Sequence, residues 1–79
     1  MKQCFAIDCL EDGKWKIAFA MIDTRKRIEA DLPKLADKNG IAIEDFRLRW
    51  IWTVAEANRL MDIGVTIFGK PGKDVAWVG

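Results

Sequence analysis

The chain contains no histidine, no serine and no tyrosine. Histidine is the side chain whose ordinary pKa suits proton shuttling near neutral pH. A Ser-His-Asp triad and a Cys-His pair both need residues that are missing. Cysteine is scarce: Cys4 and Cys9 stand five positions apart. On a strand an odd separation sends two side chains to opposite faces, so a disulfide between them would require the strand to break. Two thiols without histidine fall short of a zinc site, and reduced cysteines agree with a cytoplasmic location. A reactive thiolate needs Lys, Arg or a helix N-terminus beside it, and neither cysteine stands near a helix start. Long apolar runs are missing too, none approaching the roughly 20 residues of a membrane-spanning helix. Met1 to Leu10 carry Asp8 inside the one candidate stretch and show no signal-peptide cleavage site. No membrane partner is expected.

Charge of one sign is also lacking. Thirteen Lys plus Arg against twelve Asp plus Glu leave +1, well short of the basic footprint of a dedicated nucleic-acid binder. Paired carboxylates serve acid-base chemistry or magnesium only when their geometry is fixed. Glu11-Asp12 falls in a turn and Glu44-Asp45 at a strand entrance, where neighbouring side chains diverge, so both read as solvated surface. The same holds for the basic run Arg25-Lys26-Arg27. Gly69 to Lys73 has neither the spacing of a phosphate-binding loop nor a helix after it, and reads as a turn. The expectation is a non-enzyme with no catalytic residue, no metal and no cofactor.

What remains is a globular composition. The 79 residues are 51% hydrophobic and include four Trp and four Phe, enough for one small domain spanning residues 1–79. Phe5, Ile7 and Cys9 alternate with Ala6, Asp8 and Leu10. Glu11-Asp12-Gly13-Lys14 supplies a hairpin turn, and Trp15, Ile17, Phe19 and Met21 line one face of a second strand. Asp23 or Thr24 caps a helix with Ile28, Leu32, Leu35 and Ala36 at helical spacing. Strand-like alternation of Ile28, Ala30 and Leu32 competes over residues 24–32, but Arg, Lys, Glu, Ala and Leu favour helix. Pro33 calls for a kink or a restart, and Asn39-Gly40 for a left-handed end.

Phe46, Leu48, Trp50 and Trp52 alternate with Arg47, Arg49 and Ile51 as a third strand. Thr53-Val54-Ala55-Glu56 matches a capping box for a short helix burying Val54, Ala57, Leu60 and Met61 and stopping at Gly64. Val65 to Lys70 and Asp74 to Val78 then read as a hairpin around a type II turn at Lys70-Pro71-Gly72-Lys73. The expected fold is α+β, in the order ββαβαββ: a mainly antiparallel sheet with two helices packed on one face. Phe5, Ile7, Trp15, Ile17, Phe19, Met21, Leu48, Trp50, Val65, Ile67, Val75 and Trp77 should meet those helices.

That arrangement leaves the other sheet face as the place for a partner. It would present Ala6, Ala18, Ala20, Ile51, Phe68, Ala76 and Val78, with Lys16, Arg47 and Arg49 among them. Small side chains admit another surface, and Arg and aromatic residues are enriched at binding hot spots. The expected partner-binding residues are Arg47 and Arg49, supported by Lys16 with Phe68 as apolar anchor, against an acidic surface of a protein. An ordinary exposed antiparallel face, or one masked by self-association, is the structural alternative. A nucleic-acid module using the exposed basic face is the other functional reading, although Arg-Leu-Arg-Trp-Ile-Trp lacks the glycine of RNA-recognition signatures. Size and missing chemistry suit a phage or prophage inhibitor of the anti-CRISPR type, acting by steric block of a host defence complex. That last step is analogy.

Overall fold

The computed structural model describes residues 1–78. β1 (Gln3–Glu11) and β2 (Lys14–Asp23) form the opening hairpin, joined where Asp12 and Gly13 both take positive φ, 53° and 75°. That pair of dihedrals defines a type I′ turn, whose twist matches the flanking strands. Thr24 caps α1 (Arg25–Asn39), its hydroxyl accepting from the Arg27 N–H at 3.3 Å. The helix therefore wins over the strand-like alternation of residues 24–32. It runs through Pro33 as one element. Pro33 leaves the Glu29 carbonyl without its helical donor, but both residues lie on the exposed side, where water replaces the bond. Gly40 ends the helix in the left-handed region, its N–H donating to the Ala36 and Asp37 carbonyls.

A single 3-10 turn at Ile43–Asp45 leads into β3 (Phe46–Ile51). Thr53 then caps α2 (Val54–Asp62), accepting from the Glu56 N–H at 3.1 Å as the capping box requires. β4 is only Ile67–Phe68. The sheet order is β3-β1-β2-β4, antiparallel except for the β2–β4 pair. The molecule is an α+β domain with a mixed, largely antiparallel four-stranded sheet and two helices. No described helix is long and apolar enough to cross a membrane.

Three finer expectations are corrected. First, the helices take opposite faces of the sheet. Phe5 and Ile7 pack with Ile28 and Leu32 of α1, whereas Cys4 and Ala6 pack with Ala57 of α2. Successive residues of β1 face opposite ways, so β1, the strand between β3 and β2, is covered on both sides. Ala6, Ala20 and Ala57 are all fully buried, and their small side chains let α2 sit close to the sheet. The small-residue face that the sequence offered to a partner is thus partly taken by the chain's own helix. Only Ala57 of α2 is buried outright, while Val54 and Met61 are exposed, contrary to expectation.

Second, β2 does not keep one parity. Ile7 pairs with Phe19 but Asp8 pairs with Ile17, leaving Ala18 as the extra residue of a bulge. Phe19 and Met21 therefore join the α1 side, and Ile17 the α2 side.

Third, the C-terminal hairpin is absent among the described residues. Ile67–Phe68 lies parallel to Ala20–Met21 of β2. The later segment runs instead to the other side of β1: Val75 bridges Lys2, the Ala76 N–H donates to the Lys2 carbonyl at 2.8 Å, and the Val78 N–H donates to the Trp52 carbonyl at 2.6 Å. Gly69 separates the two halves at φ +112°, and a Cβ there would come within 3.0 Å of Ile22. The chain folds sharply at that point, and the turn moves to Gly72–Val75, closed by the Val75 N–H to the Gly72 carbonyl.

Candidate functional site

α2 spans nine residues and covers only the part of its sheet face near Cys4, Ala6 and Ile51. Toward the β1–β2 turn the same face stays open, and there β1 places its one charged inward residue. Asp8 sits opposite Arg47 on β3, with Arg49 at the diagonal position. The Arg47 Nε donates to Asp8 Oδ2 at 2.9 Å, the Arg49 Nε donates to the same oxygen at 3.1 Å, and the Arg49 Nη2 donates to Oδ1 at 3.3 Å. The carboxylate is buried, 3% exposed, while each arginine side chain remains 48% exposed. Burial alone would push the Asp8 carboxyl upward. Hydrogen bonds from Arg49 and Arg47, together with their charges, outweigh burial and hold it below the ordinary carboxylate value. The bond to Asp8 shifts the Arg49 guanidinium upward against the opposing effect of burial, with the Asp8 and Glu56 charges adding to the rise.

Arg47 is steadied from a second side. Its guanidinium lies 4.5 Å from the centroid of the Trp15 ring, within cation–π range. The bulge at Ala18 makes this contact, because it turns Trp15 and Ile17 to the Asp8 side. Both guanidinium groups are therefore held by Asp8, and Arg47 by Trp15 as well, while each arginine side chain stays about half exposed. Such an arrangement reduces the side-chain entropy lost when a carboxylate is bound.

Beside the arginines runs a shallow groove of about 490 Å³ between the sheet and α2. Ile17, Ile51, Leu60 and Ile63 supply its apolar walls, and Arg49, Glu56 and Arg59 its polar ones. Ile63, just past α2, is 66% exposed. The groove thus joins an apolar channel to a basic rim.

The four residues singled out from sequence divide into two pairs. Arg47 and Arg49 share the open face, as their two-residue spacing requires. Lys16 pairs with Cys9, and Phe68 with Met21, so both belong to the α1 side of the sheet. Phe68 meets Phe19 edge to face at 5.7 Å. The Ala18 bulge is the reason for Lys16, since it inverts the first part of β2. Asp8, Trp15, Arg59 and Ile63 were missed as site residues. The available signal was Asp8 itself, the single charge inside the apolar run from Cys4 to Leu10.

The thiols lie apart from this surface chemically. Cys4 is fully buried, and burial, with the Glu56 charge adding to it, pushes its thiol up to about 11. At neutral pH it is a small apolar core residue.

Comparison with known proteins adds no relative. No family model, no curated protein and no solved structure matches the chain.

Proposed function

We propose that the chain is a non-enzymatic protein-binding domain whose open sheet face, Arg47, Arg49 and the groove beside α2, receives an acidic and partly apolar surface of another protein. The observation that carries this reading is the Arg47–Asp8–Arg49 cluster. One buried carboxylate orients two half-exposed guanidinium groups, and together with Glu56 and Arg59 at the groove these side chains keep a net positive charge. Ile17, Leu60 and Ile63 beside it provide the apolar contact that gives an interface its affinity. Lys16 and Phe68 have no part in this surface.

A domain of this kind acts by occupying a partner's surface, which is how a steric inhibitor works. The phage-inhibitor reading adds only an identity for the partner, a host defence complex. Nucleic acid is the competing ligand for exposed arginines. The net charge of +1 disfavours it, because phosphate neutralisation and counterion release dominate such binding.

The test is affinity capture from the native host with and without nuclease. The expected result is a defined protein retained after nuclease treatment and only weakly sensitive to salt between 50 and 200 mM. Recovery of nucleic acid alone, falling steeply with salt over that range as released counterions demand, would replace the protein-binding reading.

A further inference from the structure

We infer that two copies of this chain pair through the free edge of β3, antiparallel about a two-fold axis at Trp50. The inference concerns the edge of the sheet and does not rest on the protein-binding reading of its face. β3 is the outermost strand on its side of the sheet, so alternate residues turn their N–H and C=O groups toward no other strand. Natural edges are closed by proline, bulges, charges along the edge or short length. β3 has six residues without Pro, Gly or Lys, and it pairs with β1 without a bulge from Cys4–Ile51 to Cys9–Phe46. Its two charges do not guard it. Arg47 and Arg49 turn back over the sheet onto Asp8, and Arg47 onto Trp15 as well. The opposite edge is closed: β4 has two residues, Gly69 and Pro71 follow it, and β2 beside it is bulged. An assembly that uses β3 once per copy stops at two.

The side chains of β3 select the register. Antiparallel strands of identical copies are related by an axis normal to the sheet, which keeps like faces together. Paired residues then share parity, and the axis falls on a residue. An axis at Arg47 or at Arg49 sets that arginine against its own copy, and an axis at Leu48 sets Arg47 against Arg49. Like charges directly opposite destabilise a strand pair. An axis at Phe46 needs Ile43–Asp45 extended against the arginines, but those residues form a 3-10 turn. Axes at Trp50 and at Ile51 oppose no like charges. The first pairs residues 47–53 and the second only 49–53, because Thr53 is still extended and α2 begins at Val54.

The Trp50 axis sets Trp50 against Trp50 and Leu48 against Trp52, with Arg49 against Ile51 and Arg47 against Thr53. It covers the apolar surface that the edge leaves open. Leu48 and Trp50 are half-buried over the α1 core. Trp52, stacked on Trp50 with ring centroids 4.1 Å apart, is 46% exposed. Aromatic side chains opposed across strands stabilise the pair. The edge is thus complementary to itself, and pairing brings the Arg47–Asp8–Arg49 clusters of both copies onto one side of a continuous sheet.

The experiment uses the whole domain. Sedimentation equilibrium from micromolar to millimolar concentration is expected to show the mass rising from 9.0 kDa to twice that value. In a mixture of carbon-13-labelled and unlabelled protein, filtered nuclear Overhauser spectra report contacts between copies alone, and Leu48 methyls are expected against the Trp52 ring. Trp52→Lys places a charge on the edge opposite Leu48 and should raise the dimer Kd at least tenfold, whereas Phe68→Lys at the opposite edge should leave it unchanged. If Trp52→Lys melts before it can be measured, the filtered contacts in the native chain decide. A monomer at every concentration overturns the inference and leaves the reading of the open face standing. A dimer whose contacts join Phe68 or Ile63 across copies overturns the edge, and one that joins Arg47 to Arg49 overturns the register.

Discussion

Removing both arginines from β3 should invert the pH dependence of stability. In Arg47→Ala/Arg49→Ala the Asp8 carboxylate, 3% exposed, loses all three of its side-chain hydrogen bonds. The arginines are half in water, so their own removal costs little. The cost lies in leaving a buried charge without a partner, about 3–5 kcal/mol, against a total stability of roughly 5–15 kcal/mol for a domain. The signs with pH are opposite in the two proteins. In the native chain the folded Asp8 pKa is depressed, so its contribution is present above the unfolded value of about 4 and fades as pH falls through the folded value. In the double variant burial acts unopposed and raises the folded pKa. Asp8 then favours folding most below its unfolded value, and stability declines as pH rises through the folded one. Urea unfolding followed by tryptophan fluorescence from pH 3 to 8 should show the variant gaining stability from pH 7 down to about 4, where the native chain does not. Adding Asp8→Val should restore most of the loss at pH 7, because a buried charge gives way to an apolar side chain. The single Arg47→Ala variant keeps both Arg49 bonds and should lose only about 1–2 kcal/mol, which keeps the series measurable if the double variant unfolds. A double variant within about 0.5 kcal/mol of the native chain, the range of neutral surface changes, would refute the reasoning.

Other outcomes follow from the packing. Ile28→Ala, which empties a fully buried site under α1, should cost about 2–5 kcal/mol in urea unfolding. Pro33→Ala should stabilise the domain by up to about 3 kcal/mol, the penalty of an interior helix proline, read from the same denaturation midpoint. Thr53→Ala should remove the cap on the Glu56 N–H and cost about 1 kcal/mol, seen as a lower melting temperature. Cys4 should resist iodoacetamide at pH 8 in the native protein and react on unfolding, since burial pushes its folded pKa up to about 11; mass spectrometry of the alkylated chain checks this.

Local chemistry carried most of the elements into view. The Asp12-Gly13 turn, the Thr24 and Thr53 caps and the Gly40 stop are each decided within a few residues, and each forms as its residues indicate. The errors arose where the deciding partner lies far along the chain. Cys4-Phe5-Ala6-Ile7 is apolar at both parities, the pattern of a strand covered on both faces, yet alternation in the other strands suggested one covered face. The Ala18 bulge leaves no mark in β2, because Trp15 to Ile22 alternates smoothly through it. It moved Lys16 out of the candidate site and brought Trp15 in. The spacing of Arg47 and Arg49 fixed their common face, but Asp8 beneath them depends on the β1–β3 register, a contact across about 40 residues that periodicity does not encode.

The central claim, that the face carrying Arg47, Arg49 and the α2 groove is the binding surface, is tested most directly by two exposed residues that hold no buried charge. Arg59→Glu/Ile63→Asp reverses one rim charge and places a charge on the apolar wall, both at exposed positions. Titration calorimetry against the captured partner should show at least a tenfold loss of affinity, with the melting temperature unchanged within about 2 °C, as expected for surface substitutions. Unchanged affinity in this variant, with Lys16→Glu/Phe68→Asp abolishing binding instead, would contradict the account and move the site to the other face of the sheet.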